Sequence, residues 1–123
     1  MRHLNENQTF QYNGSPITFQ KGDSVMVNAT EMAKPFGKRC NDFLSNELIN
    51  SLSAKTGIPA TGLVTVNQGG NNQGTWLHED LALIFAQWLS PDFYLWCNDR
   101  IKELLQYGMT ATQPTLEQMI NNP

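Results

Sequence analysis

The sequence predicts an α+β fold, and three observations predict it. Short β-type runs come in two pairs, at 17–27 and 63–77, each pair divided by a glycine-containing turn. Leucines four apart, at 44, 48 and 52, mark an amphipathic helix between the pairs. After the second pair, apolar residues recur at helical spacing in two stretches divided by Ser90-Pro91-Asp92, where one helix should end and another begin. A chain of 123 residues, 40% of them hydrophobic, is long enough to bury a core and suits one domain.

In chain order, residues 1–10 are polar and expected to be loosely ordered. Ile17-Thr18-Phe19 and Val25-Met26-Val27 form a hairpin across a turn containing Gly22-Asp23. Asn28 then stands as N-cap, with Glu31 at the third helical position, close to a capping box. Pro35 and Gly37 end this helix by about Phe36, and Lys38 and Arg39 follow in the turn. A second helix is expected from about Asn41 to Ala54, stopping at Gly57. Its stripe of Leu44, Leu48 and Leu52 turns inward, with Phe43 and Ile49 beside it. Its other side carries Asn41, Ser45, Asn46, Asn50 and Ser53, nearly all able both to donate and to accept hydrogen bonds. Two helices joined by a short turn, the second with a polar outer face, give the outline of a helix-turn-helix.

Residues 58–62 read as a loop into the second hairpin, Leu63 to Leu77. With its turn centred on Gly70-Asn71, Val66 faces Thr75 and Gln68 faces Gln73. A helix after Trp76 carries Glu79 and Asp80 in its first turn, where negative charge is favoured. Its core stripe is Leu81, Ile84, Phe85 and Trp88, and it is expected to be buried on most sides. The last helix, opened by Ser90 and Pro91, turns Phe93, Trp96, Cys97, Ile101, Leu104 and Leu105 inward and ends at Gly108. The domain therefore spans 1–108, with two C-terminal packing helices. Residues 109–123 read as a linker and the start of a further segment, whose Leu116, Met119 and Ile120 imply a longer protein.

Charge and chemistry narrow the function. Net charge is −3, which argues against a strongly electrostatic polyanion binder. Its distribution is uneven: −1 over residues 1–32, +2 over 33–76 and −4 over 77–123. The basic excess precedes the second hairpin. Cys40 and Cys97 belong to no metal or redox spacing and read as free thiols. His3 and His78 complete no metal set, no cofactor motif is present, and no catalytic constellation emerges. An enzyme built on His78, Glu79 and Asp80 is the weakest reading. The polar N-terminus lacks a secretory signal and no apolar run approaches a membrane span, so a cytoplasmic protein is expected.

What remains is a binding surface. The amides of Gln68, Asn71, Asn72 and Gln73 can bond an adenine edge bidentately, and their glycine neighbours let them approach it. Lys38, Arg39 and Lys55 can hold phosphates. The same tip also reads as a solvated turn of ordinary polar residues.

The string Val27-Asn28-Ala29-Thr30-Glu31-Met32-Ala33-Lys34, followed by Gln68-Gly69-Gly70 and Gln73-Gly74-Thr75-Trp76, resembles the KilA-N domain of bacteriophages, prophages and large DNA viruses. Ala86-Gln87-Trp88-Leu89-Ser90-Pro91-Asp92-Phe93 fits the same pattern, and the likeness runs from about Val25 to Leu105. The family is similar to the APSES domain of fungal transcription factors. The resemblance implies a winged-helix-like α+β fold that binds double-stranded DNA. It assigns DNA contacts to Gln68 and Gln73 in the wing and to Lys38 and Arg39 before the second helix. Asn41, Ser45 and Asn46 are expected on that helix's outer face by spacing alone. The wing departs from the fungal pattern, with Asn71-Asn72 where a basic residue usually stands. A phage-type transcriptional regulator follows, with pairing of two copies through the C-terminal region as a further expectation. The alternative is an antirepressor-like module that binds a repressor protein instead of DNA.

Overall fold

The computed structural model describes residues 6–70 and 73–107. Five strands form one antiparallel sheet: β1 (Glu6–Tyr12), β2 (Ser15–Lys21), β3 (Val25–Asn28), β4 (Val64–Asn67) and β5 (Gly74–His78). Their spatial order is β1-β2-β3-β5-β4, so the two predicted hairpins are joined edge to edge through β3 and β5. The helices are α1 (Ala29–Ala33), α2 (Asn46–Thr56), the single turn α3 (Ala60–Leu63), α4 (Glu79–Leu89) and α5 (Pro91–Tyr107).

Alternation sets the faces of the sheet. Phe10 pairs with Ile17, Phe19 with Val27, and Val27 with Leu77, so these side chains share one face. Ile17, Phe19, Val25, Val27 and Leu77 are fully buried there, against Phe85, Phe93, Cys97 and Leu104 from α4 and α5. Each fully buried residue of this size contributes roughly 1.5–3 kcal/mol. Cross-links between strands and helix ends are made by carboxylates. Glu31 accepts from the Thr18 amide and Glu79 from the Val25 amide, each at 2.7 Å.

Several expectations need correction. Residues 6–12 are not loose but form β1, whose Phe10 and Tyr12 pack on Phe93 and Trp96 of α5. The second helix does not begin at Asn41. Cys40–Asp42 is a separate 3-10 turn, and Ser45 is extended and caps α2 by accepting from the Leu48 amide at 3.1 Å. Asn41 and Ser45 therefore leave the outer face assigned to them. Residues 60–63 are helical, so Leu63 ends a turn of helix and does not start a strand. α4 is buried on one side only: Leu81, Ala82, Phe85 and Ala86 face the core, while Ile84 and Trp88 are 38% and 40% exposed. Leu105, expected inside, is 46% exposed.

Other expectations hold. Asn28 caps α1, Gly37 and Gly57 close their helices in left-handed conformations, and the Ser90 hydroxyl accepts from the Phe93 amide. Both cysteines are free and buried. The linker and the segment predicted over 109–123, with the helix end at Gly108, lie outside the described residues.

Candidate nucleic-acid interface

The candidate surface is assembled around one buried polar side chain. Asn28 ends β3 and is only 4% exposed, so both ends of its amide need partners. Its Oδ1 accepts from the Glu31 amide at 3.0 Å, capping α1. Its Nδ2 donates to the Gln73 carbonyl at 3.1 Å, reaching the base of the β4–β5 hairpin. Two residues on, Thr30 Oγ1 accepts from the Thr75 amide at 3.2 Å. The hairpin base is thus fastened to the first turn of α1 at two points. Between them lies Gly74, at φ 126, where a Cβ would come within 3.1 Å of the Asn28 amide and 3.3 Å of the Thr30 hydroxyl. Glycine is required there by both backbone and space.

The hairpin register matches the expected one: Val66 pairs with Thr75, and the ladder closes at Asn67 and Gly74. Gln68 and Gln73 follow immediately beyond that last pair, and both are exposed, as are Gly69 and Gly70. The described part of the tip is not buried against the C-terminal helices. Asn71 and Asn72 lie outside the described residues.

Beside the hairpin base, the chain from Lys38 to Asn41 bounds an open depression of about 220 Å³, completed by Thr30, Ala33 and Thr75. The backbone here is fixed by Gly37 in its left-handed conformation and by the Lys38 amide donating to the Ala33 carbonyl at 3.2 Å. The two cations differ. Arg39 is highly exposed and bonds Asp42 at 3.3 Å, which offsets part of its charge. Lys38 makes no ion pair among the described residues, and its ammonium lies 4.6 Å from the centroid of the Trp88 ring. The structure therefore brings Lys38, Arg39 and Asn41 together with Thr30 and Thr75, two residues that sequence reasoning missed. The only available signal was their position beside Asn28 and Gly74.

α2 lies at the surface and has no fully buried residue. Leu48, Ile49 and Leu52 pack against the core from its inner side. Asn46, Asn50 and Lys55 are exposed on its outer side, and Lys55 occupies the last turn, where a cation complements the helix dipole. Ser45, spent on the cap, is in this set by location only.

His78 and Glu79, from the enzymatic alternative, take structural bonds. Among the described residues no group of His, Cys, Asp and Glu could hold a metal ion. His78 Nδ1 accepts from the Asp80 amide at 3.1 Å, capping α4, and Glu79 is committed to the Val25 amide. Burial pushes the Cys97 thiol far above its ordinary range, and the nearby Arg100 charge only partly opposes this, so it stays a protonated core residue. No described helix is long and apolar enough to cross a membrane.

Compared with known families, residues 10–107 match the one described as the KilA-N domain. The chain belongs to the KilA-N family. KilA-N is a DNA-binding domain family, and the match includes the whole surface described above, from Asn28 to Trp88. No curated protein and no solved structure gives a significant match.

Proposed function

We propose that this KilA-N domain binds double-stranded DNA with sequence preference, in a winged-helix-like manner, as part of a phage- or prophage-type transcriptional regulator. α2 presents Asn46 and Asn50 to the major groove or its flank. The β4–β5 tip acts as the wing, with Gln68 and Gln73, and Asn71 and Asn72 between them, directed at base edges or groove walls. Lys38, Arg39 and Lys55 hold phosphates, and Asn41 lines the depression beside the first two.

The observation that carries this reading is the fastening of the hairpin base to α1, beside the Lys38–Asn41 segment. Such a base holds the start of the tip beside the cations, which lowers the ordering cost of binding. A solvated turn needs no such anchor.

Three phosphate contacts give a salt slope of about −2.7, which is roughly a 40-fold loss of affinity between 50 and 200 mM salt. Fluorescence anisotropy with mixed duplex DNA across a salt series tests this. Lys38→Ala/Arg39→Ala should flatten the slope and weaken all sequences alike, whereas Gln68→Ala/Gln73→Ala should relax preference among sequences. Binding without salt dependence, or indifferent to both pairs, refutes the reading. The net charge of −3 favours one alternative, a module that binds a repressor protein. That reading requires a repressor complex whose affinity is unaffected by the loss of Lys38 and Arg39.

A further inference from the structure

Trp88 is out of place for a core residue. It extends the Leu81–Phe85 stripe of α4, yet 40% of it is exposed. Its ring packs on Phe43 at 5.4 Å and on Phe85 at 5.9 Å between centroids, which fixes its orientation from beneath the surface. The Lys38 ammonium lies over this ring, 4.6 Å from its centroid, and leaves part of it open.

Lysine is an unlikely side chain to stay in one place. Its four-carbon stem has high rotamer entropy, and a surface ion pair would hold it only at the expense of its charge. An aromatic face avoids that compromise, since the ring quadrupole attracts the ammonium and leaves its full positive charge available. The neighbouring Arg39 shows the contrast, because Asp42 both orients it and offsets part of its charge. Lys38 is also fixed at its other end, where its backbone N–H donates to the Ala33 carbonyl. The result is a full cation carried by a residue that, with Thr30, Asn41 and Thr75, lines the depression.

We infer that Trp88 is a positioning residue of the DNA interface: its exposed ring holds Lys38 in place for one backbone phosphate seated beside Thr30 and Thr75. This rests on the DNA-binding reading above and adds to it a role for a residue of α4, a helix that reading leaves as packing. The phosphate contacts Lys38, and Trp88 acts only through it.

A double-mutant cycle on DNA affinity, run in the same salt series, separates this role from plain packing. Trp88→Leu should weaken binding about two- to five-fold, the worth of an exposed cation–π contact, while leaving the salt slope unchanged because the charge remains. Lys38→Ala should reduce the slope by about 0.9. In the Lys38→Ala background the Trp88→Leu loss should vanish, since nothing is left to position. Trp88→Phe should fall between tryptophan and leucine, and if the leucine variant does not fold, the same cycle is read from Trp88→Phe.

Equal losses in both backgrounds would mean a packing effect and overturn the inference while the DNA-binding reading stands. So would parent-like affinity in Trp88→Leu beside a weakened Lys38→Ala. A parent that binds no DNA overturns both.

Discussion

Asn28→Ala removes two bonds with one truncation, and its cost can be worked from the structure. The first bond caps α1, and an Asn N-cap replaced by Ala costs about 1 kcal/mol. The second reaches the Gln73 carbonyl, and a lost hydrogen bond of this kind costs about 1 kcal/mol more. A total near 2 kcal/mol should lower the midpoint of thermal unfolding by about 8 °C for a domain of this size. Asn28→Asp divides the two terms. It keeps an acceptor for the Glu31 amide but turns an oxygen toward the Gln73 carbonyl, so it should recover the cap and lose the tether. The midpoints should therefore fall in the order parent, Asp, Ala, as followed by circular dichroism. An Asp variant as stable as the parent would refute an energetic role for the hairpin tether. An Ala variant as stable as the parent would refute both terms.

Further tests address the same surface and the core. Asp42→Asn should release Arg39 from its 3.3 Å partner and so tighten DNA binding and steepen the salt slope, measured by anisotropy. Gly74→Ala should destabilise the domain by about 1–3 kcal/mol in urea unfolding, because φ 126 strains any side chain and the added Cβ meets Asn28. Cys97 should resist alkylation at neutral pH in the native protein and react at once when unfolded, as read by mass spectrometry. Its raised folded pKa has a defined sign. The associated stability is fully present below the ordinary thiol range and declines as alkaline pH ionises the thiol in the unfolded chain, so the loss of stability between neutral and alkaline pH should be smaller in Cys97→Ala than in the parent.

The sequence was most legible where backbone constraint and side-chain type coincide. Val66 opposite Thr75 followed from β-branched residues on either side of a glycine-rich turn, and Asn28, Gly37 and Ser90 announced helix ends by their own chemistry. It was least legible where a partner distant in the chain decides the outcome. β1 has only Phe10 and Tyr12 as apolar residues, and its polar side chains pair across to β2, as Thr9 does with Thr18. Its burial comes from Phe93 and Trp96, more than 80 residues later. The leucine spacing at 44, 48 and 52 continued across a break, since periodicity records spacing and not the extended backbone at Ser45. Likewise Trp88 fitted a core stripe, yet it stays 40% exposed with Lys38 over its ring. Around the candidate site, the exposed position of the two glutamines just beyond the ladder was legible, whereas the bonds from Asn28 and Thr30 span 45 residues and were not.

The Asn28 tether grips Gln73 by its carbonyl, leaving the glutamine side chain out of the bond. The anchor is therefore indifferent to which amino acid occupies that position. Likewise, the ladder stops at Asn67 and Gly74, so a change in the intervening tip need not propagate into the sheet. Lengthening such a loop costs little, about 0.6 kcal/mol per doubling. On the DNA-binding reading proposed above, the hairpin separates the part that fixes shape from the part that sets preference. Tip residues can then be exchanged to redirect the domain while Asn28, Thr30 and Gly74 stay in place, as a handle accepts different blades.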